Sequence, residues 1–209
     1  TSLFVPSLTM VPISPEHFAQ HLADSLAASK LFDHFDNLTY FVKDNVGRYV
    51  VFNETLMRRC GFAHQEQLLG RTALEVFSSS LGEHFHSQDL DLIRTGRPLI
   101  NEMEQHPYPN RRNGWCLTTK LPLKNRQGET IGLVGMSRDI QSPDQDTNVY
   151  ASIALVLEHI KRNLDQPLKP PDLADLAGLS VWQLDQRVKE LFGVTVAQLV
   201  LQTRMDSAA

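Results

Sequence analysis

The chain has 209 residues and a formal net charge of −4, with 42% hydrophobic and 21% charged residues. This composition suits one large or two small folded domains and excludes a disordered tail. No apolar run approaches the roughly 18 residues that a membrane span needs, and the first residues lack the basic region of a signal peptide. We therefore expect a cytoplasmic protein with no membrane partner. Phosphate-binding glycine loops, Gly-x-Ser-x-Gly elbows and His-Glu-x-x-His sites are also absent from the sequence, which argues against an enzyme.

Residues 1–30 predict an N-terminal segment that contains an amphipathic helix. Ser14-Pro15-Glu16 combines an N-cap residue, a proline at the first helical position and an acid at the positive end of the dipole. Phe18, Leu22 and Leu26 then recur every four residues along one face. We expect this helix to pack on its own domain or to pair with a copy of itself in a homodimer.

Residues 31–140 predict a small α+β domain. The segments LTYFVK and RYVVFN are rich in β-branched and aromatic residues and flank a turn with Asp, Asn and Gly, which is typical of a hairpin. Several short helices closed by glycine follow, and then three more strands. This order predicts a five-stranded antiparallel sheet with flanking helices. The predicted bounds are a hairpin at 38–53, helices at 54–60, 64–69, 72–77 and 82–95, and strands at 99–105, 115–123 and 130–137.

The order of the predicted elements and the positions of the turn residues in this region resemble those of PAS sensor domains. The resemblance implies a domain that holds a small molecule between sheet and helices, or one that only dimerises. It also implies that an Asp-Ile pair at the exit couples the last strand to an output helix. The matching residues are Asp44, Gly47, Arg48, Asn53, Gly61, Phe62, Leu69, Gly70, Thr95, Gly96, Gly128, Gly132 and the exit run Arg138-Asp139-Ile140.

The expected ligand pocket depends on which face of the fourth strand points inward. Alternation places Trp115, Leu117 and Thr119 on one face and Lys120 on the other. Because a lysine is expected to face water, the Trp115 face is predicted to point inward, with Thr119 and Ser137 orienting a bound molecule. A packed core without a cavity is the open alternative. The predicted pocket residues are Met57, Phe62, Phe77, Phe85, Ile93, Met103, Trp115, Leu117, Thr119, Leu133 and Ser137.

The sequence requires no cofactor. Haem and flavin are the two cofactors to consider. Haem-binding PAS domains carry an axial ligand on the helix that contains His84 and His86, so haem through either histidine is an option that the resemblance offers. Flavin photochemistry of the light-oxygen-voltage kind needs a cysteine in an Asn-Cys-Arg setting. Neither Cys60 nor Cys116 lies in one, and no metal-ligand spacing surrounds them.

A polar segment, 141–148, predicts a linker before a helical region at 149–209. Within that region a short helix, a tight turn at Gly178-Leu179-Ser180 and a helix from Val181 to Phe192 predict a helix-turn-helix. The second helix has an apolar face with Leu184 and Val188. A different face carries Trp182, Asp185, Gln186 and Lys189.

This helical region resembles the first helix-turn-helix of AraC/XylS-type transcription regulators. The resemblance implies base-edge contacts by Trp182, Asp185 and Gln186 and backbone contacts by Lys189. The family carries a second helix-turn-helix after the linking helix, whereas this sequence stops at Ala209. The region has six basic and seven acidic residues, a net charge of −1, so we expect this fragment to bind DNA weakly or not at all. The residues that carry the resemblance are Leu173, Ala174, Ala177, Gly178, Leu179, Ser180, Leu184, Gly193, Arg204 and Ala208.

Two functions are therefore open from the sequence. The first is a ligand-responsive transcription regulator, in which a small molecule biases the PAS-like core and repositions DNA-binding helices. The second is a protein-interaction module that holds no ligand and dimerises through the N-terminal helix.

Overall fold

A computed structural model describes residues 28–77, 79–108, 113–140 and 148–208. The predicted helix that starts at Ser14 and most of the predicted linker lie outside the described residues. In chain order the elements are α1 Ala28–Phe32, β1 Leu38–Asp44, β2 Tyr49–Phe52, α2 Glu54–Arg59, a 3₁₀ turn Gln65–Gln67, α3 Ala73–Val76, α4 Ser79–Thr95, β3 Leu99–Pro107, β4 Asn113–Lys124, β5 Thr130–Asp139, α5 Asn148–Arg162, α6 Pro170–Ala177, α7 Val181–Phe192 and α8 Val196–Ala208.

The strands form one antiparallel sheet in the order β2-β1-β5-β4-β3. The predicted α+β fold with a five-stranded antiparallel sheet and flanking helices is confirmed. The first and last strands are neighbours, and Leu38 pairs with Arg138. The end of β5 therefore lies beside the start of β1, next to the helices that precede and follow the sheet.

The β1–β2 hairpin closes as its residues predict. The Asp44 carboxylate accepts hydrogen bonds from the backbone N–H groups of Val46 and Arg48 at 3.0 and 2.9 Å. Gly47 adopts a φ of 80°, which glycine reaches without a side-chain clash. After β2, the buried Asn53 side chain accepts from the backbone N–H of Tyr40 at 3.0 Å and of Leu56 at 3.1 Å. One amide thus caps α2 and fastens it to the sheet.

The two faces of the sheet are covered by different helices. Helix α4 lies on the inner face, where the Asp89 carboxylate binds the ammonium groups of Lys43 and Lys120. Helix α5 lies on the outer face, where Trp115 and Leu117 join one hydrophobic cluster with residues of α5 to α8.

The predicted orientation of β4 is therefore wrong. Lys120 points inward and its side chain is only 3% exposed, because Asp89 and Gln88 of α4 bind its ammonium group. The opposite face of the strand, with Trp115 and Leu117, points toward α5. The prediction assumed that a lysine must reach water, and it could not foresee partners 31 residues earlier in the chain.

Helix α7 has the predicted boundaries, Val181–Phe192, and the predicted turn precedes it. Gly178 and Gly193 end α6 and α7 in the left-handed conformation, with φ of 65° and 74°. The Ser180 hydroxyl accepts from the Gln183 backbone N–H at 3.2 Å, and the Gln183 side chain accepts from the Ser180 N–H at 2.9 Å, a capping box. None of the helices in the described part of the chain combines the length and apolar character that a membrane span requires.

Candidate ligand cavity and exposed helix surface

A small cavity lies between the inner face of the sheet and α3–α4. Its volume is about 20 Å³, which is room for about one water molecule. Its wall combines aromatic rings with ionisable and hydroxyl side chains. The lining residues are Phe41, Lys43, Tyr49, Leu56, Phe77, Phe85, Glu104, His106, Thr118, Lys120 and Ser137.

Two buried lysines share one buried carboxylate at this cavity. Lys43 forms an ion pair with one oxygen of Asp89, and Lys120 binds the other oxygen at 2.7 Å. The three side chains are 2%, 3% and 0% exposed for Lys43, Lys120 and Asp89. Because removing ions from water is costly unless they are paired, this cluster depends on Asp89.

Lys43 lies against aromatic faces. Its Nζ is 4.1 Å from the centre of the Tyr49 ring and 5.3 Å from that of Phe41. Burial lowers the pKa of Lys43, and the Asp89 carboxylate opposes that shift. Burial also raises the pKa of the Tyr49 hydroxyl well above its usual value, so Tyr49 stays neutral.

A second polar cluster surrounds Glu104 of β3. Its Oε1 accepts a hydrogen bond from Gln88 at 2.8 Å, and Gln88 in turn accepts one from Lys120, so the two clusters are joined. Burial disfavours the charge of Glu104, but the neighbouring imidazoles of His106 and His84, each with a nitrogen 3.7 Å from a carboxylate oxygen, hold its pKa well below the usual range. Burial alone would lower the pKa of His106, whereas its contacts with Cys116 and with Glu104 raise it to about 9.

One buried carboxylate oxygen at the cavity has no hydrogen-bond partner among the described residues, and two hydroxyls also line the cavity. The Oε2 atom of Glu104 lies 3.7 Å from the nearest nitrogen of His106, and it has no hydrogen-bond partner among the described residues. The Thr118 and Ser137 hydroxyls are 2.9 Å apart and hydrogen-bonded across β4 and β5. A bound molecule would therefore meet both charged and hydroxyl groups here.

The predicted pocket residues fall into three groups. Phe77, Phe85 and Ser137 line the cavity. Met57, Phe62, Ile93 and Leu133 belong to the apolar cluster on the same side of the sheet without lining it. On the outer face, away from the cavity, lie Met103, Trp115, Leu117 and Thr119, because the predicted orientation of β4 was inverted.

The ionisable lining residues were missed from the sequence. A signal was present in α4, where Asp89 falls four residues after Phe85 and three before Leu92, on the buried stripe of the helix. An acid on such a stripe indicates a buried cationic partner. Nothing local to Lys43 or Lys120 identified them as that partner.

Haem does not fit this site. His84 is largely exposed and lines a separate surface groove beside α5, and the ring of His86 packs against Gly47 of the hairpin turn. Neither imidazole lines the cavity, whose volume is far below that of a porphyrin.

The C-terminal end of β5 is bound to α2 by an ion pair. Arg59 donates to both carboxylate oxygens of Asp139, at 2.7 and 2.5 Å, and also to the backbone carbonyl of Asp36 at 3.2 Å. The Tyr108 ring lies 4.6 Å from the guanidinium carbon, and burial raises the pKa of its hydroxyl. Asp139 is the aspartate of the exit run in the sequence, so this contact ties the inner-face helices to the chain leading to α5.

The predicted DNA-contacting residues lie on α7, and they differ in availability. Trp182 is 70% exposed, whereas Leu184 and Val188 on the opposite face are fully buried. Gln186 is half-buried, and Lys189 is exposed beside it. Asp185 accepts a hydrogen bond from the Val196 backbone N–H at 2.9 Å and pairs with Lys189 at 3.1 Å; the Val196 bond is the main reason that the pKa of Asp185 is lowered.

Comparison with known proteins identifies the sensor region. Residues 32–145, more than half of the chain, match the PAS fold family. The chain belongs to this family. The chain is 29% identical over 103 residues to the methanogenesis regulatory histidine kinase FilI of Methanothrix harundinacea (strain 6Ac), and the match covers 48% of this chain and 11% of FilI. The chain thus spans about a tenth of that curated relative.

Two solved structures resemble the PAS region together with the helices that follow. VqmA bound to DPO aligns with a TM-score of 0.51 and 21% identity, covering 88% of both chains. The Vibrio cholerae VqmA dimer, solved in the absence of target DNA, aligns with a TM-score of 0.51 and 21% identity, covering 87% of both chains. At this identity the likeness concerns the fold.

Proposed function

We propose that this protein is a ligand-responsive transcription regulator. A small molecule binds the cavity of the PAS region, and α6 and α7 form the AraC-type helix-turn-helix that binds DNA. The protein acts as a homodimer in the cytoplasm. The observation that carries this proposal is α7, which buries Leu184 and Val188 completely while it presents Trp182 to solvent.

The helix geometry supports the DNA-binding part. A recognition helix must be anchored on one face and open on the other, and α7 meets both conditions. The AraC-type assignment is supported by the positions that carry the resemblance. Leu173, Ala174 and Ala177 are buried, Gly178 makes the left-handed turn and Ser180 caps α7. We assign base contacts to Trp182 and Gln186 and backbone contacts to Lys189.

Asp185 has a different role in this proposal. Its carboxylate already holds the backbone N–H of Val196 at the start of α8 and the ammonium group of Lys189. A side chain with both oxygens engaged has little capacity left for a base edge. We therefore assign Asp185 to fixing the angle between α7 and α8.

The relatives support the combination of sensor and reader. VqmA is described as bound to DPO, and as a LuxR-type receptor dimer with a target DNA. Its fold likeness extends over both the sheet and the helices of this chain. FilI is a regulatory histidine kinase, and a part of it is similar in sequence to this chain. We infer that this chain likewise links a sensing core to an output.

The path from cavity to output runs through the sheet. The inner face of β4 carries Lys120 at the cavity, and its outer face carries Trp115 and Leu117 against α5. A ligand that shifts β4 or β5 changes the surface on which α5 rests, and it biases the equilibrium by its differential affinity for the two arrangements. The Arg59–Asp139 pair adds a second connection from α2 to the exit of β5.

The DNA-binding assignment is tested on the full-length protein by selecting a preferred sequence from a random duplex library and measuring affinity by gel shift. Trp182→Ala and Gln186→Ala should each weaken binding to the selected site by about 5- to 100-fold, since one specific base contact contributes about 1–3 kcal/mol. Gln202→Ala, on the exposed side of α8, is the matched control and should bind as wild type. If no sequence is enriched, or if both variants bind as tightly as wild type, the assignment of α7 is wrong.

The small volume of the cavity favours a second candidate function. A PAS core that has room for only one water is also compatible with a dimerisation module that holds no ligand. In that case Leu22→Glu and Leu26→Glu, in the predicted N-terminal helix, should yield a monomer in sedimentation. A dimer that survives both substitutions counts against this helix as the interface.

A further inference from the structure

The buried lysines have hydrogen-bonding capacity that the described residues do not use. An ammonium group has three N–H donors. Lys43 uses one of them, toward Asp89, and Lys120 uses two, toward Asp89 and Gln88, among the described residues. Both side chains line the cavity. The cavity therefore offers unused cationic donors in a setting that excludes bulk water.

The charges around the cavity do not balance when the basic groups are protonated. Lys43, Lys120 and His106 supply three positive charges, and Asp89 and Glu104 supply two negative ones. A buried excess charge is unfavourable, and a bound anion removes it. The same five groups would thus favour a ligand with a single negative charge.

The spacing of the two ammonium groups fits a carboxylate. Lys43 and Lys120 already bind the two separate oxygens of the Asp89 carboxylate. A second carboxylate on the cavity side could accept from the same pair of ammonium groups. The apolar part of such a molecule would lie against the rings of Phe77 and Phe85, which are 5.3 Å apart on the helical wall.

We propose that the sensor cavity takes a small monocarboxylate, whose two oxygens bridge Lys43 and Lys120 while its apolar part contacts the aromatic wall. This proposal rests on the sensing role proposed above and names the chemical class of the ligand. A molecule larger than one water displaces the side chains of Phe77 and Phe85 as it enters, since the cavity volume is about 20 Å³. Ligand entry is then itself a change in the packing of α4 on the sheet.

Proton uptake should accompany binding. Burial lowers the pKa of Lys43, and an adjacent anion favours its ammonium form. The groups that face Lys43 are Asp89 of α4, Lys120 of β4, Tyr49 of β2 and Cys60 at the end of α2. Above the pKa of the carboxylic acid probe and well below the pKa of Lys43, the affinity should not depend on pH. Above it the affinity should fall as pH rises, because binding must then protonate the amine.

The test measures thermal stability and heats of binding with two matched pairs of probes, acetate with acetamide and benzoate with benzamide. Each pair has nearly the same shape and differs in charge. At 100 times its Kd, a carboxylate that binds the folded protein should raise Tm by about 5 °C. Each amide should bind at least about tenfold more weakly than its carboxylate.

Variants separate the cavity from nonspecific anion effects. Lys120→Met should abolish the carboxylate effect, whereas Lys124→Met, an exposed lysine on the same strand, should leave it unchanged. Since Lys120→Met could also disturb folding, the double variant Lys43→Met/Asp89→Asn removes one charge of each sign and should also weaken carboxylate binding at least about tenfold.

The outcomes distinguish this inference from the proposed function. If benzamide stabilises the protein as much as benzoate, the cavity is a sensor site but not one for carboxylates. If none of the four probes binds, the carboxylate inference is overturned, while the DNA selection judges α7 independently. If Lys124→Met is as defective as Lys120→Met, binding does not take place at the cavity and the inference is overturned as well.

Discussion

The two faces of the five-stranded sheet both pack against helices, but by different means. The outer face, with Trp115 and Leu117, is covered by apolar side chains of α5. The inner face places Lys43, Lys120 and Glu104 beneath α4, where they are held by ion pairs and hydrogen bonds. The outer face is thus an ordinary packing surface. The inner face keeps costly charges buried, which is typical of a binding site.

The two faces also differ in the parts of the protein that they contact. The cluster that includes Trp115 and Leu117 continues through Ile153 and Val156 of α5 into Leu173 of α6. The outer face is thus continuous with the core of the helical region. In the proposed regulator, a ligand at the charged face would act on the helices by moving the strands that carry both faces, and through the Arg59–Asp139 pair.

The largest expected effect is on the inner face. Asp89→Ala leaves two buried ammonium groups without their shared carboxylate, so the free energy of unfolding in urea should fall by about 3–5 kcal/mol. Asp91→Ala is the control, since Asp91 is exposed and, among the described residues, forms an ion pair only with Arg94 three residues later. It should cost less than about 1 kcal/mol. Equal losses for the two variants would contradict the buried charge cluster.

On the outer face the loss should come from a cavity instead of a charge. Leu117→Ala should lower the free energy of unfolding by about 2–4 kcal/mol, because Leu117 is buried against α5. Leu121→Ala, on the same face but 44% exposed, should cost distinctly less. The Leu117→Ala loss should be independent of pH. A pH-dependent loss would mean that the two faces are not distinct.

The inner face should add a pH dependence that the outer face lacks. The pKa of His106 is about 9 in the folded protein and near 6.5 in the unfolded chain. Its protonation therefore stabilises the fold fully below pH 6.5, and this contribution is lost as pH rises through about 9, on the order of 3 kcal/mol in total. Urea unfolding at pH 6 and pH 9.5 should show this decline in wild type and not in His106→Gln. A decline of the same size in the variant would exclude His106 as its source.

The smallest effect should come from the helix cap that orients α7. Ser180→Ala removes the hydroxyl that accepts the Gln183 N–H, and it should cost about 1 kcal/mol in urea unfolding. Ser87→Ala, at an exposed position inside α4, should be neutral. If Ser180→Ala is neutral as well, the capping box does not stabilise this corner.

The sequence predicted the order of strands and helices along the chain because turns and glycines are local signals. Asp44 and Gly47 marked the hairpin, and Gly178 and Ser180 marked the corner between α6 and α7, all as the structure has them. It did not predict the charged face, because the partner of Lys120 lies 31 residues away on another element.

The error in the predicted orientation of β4 shows that one long-range contact can decide which side chains line a site. Alternation along the strand identified the two sets of side chains correctly, but it contained no information on which set meets α4. Asp89 on the buried stripe of α4 was the available clue. The cavity volume depends on how Phe77 and Phe85 pack, and no local pattern encodes that.

In the proposed function, the charged face, and not the face with Trp115, receives the ligand. Nuclear magnetic resonance of lysine Nζ and tryptophan indole groups during a benzoate titration tests it most directly. The signals of Lys43 and Lys120 should shift with benzoate and not with benzamide, while the Lys124 signal stays in place. A titration that moves the indole signal of Trp115 and leaves both buried lysines unchanged would contradict it.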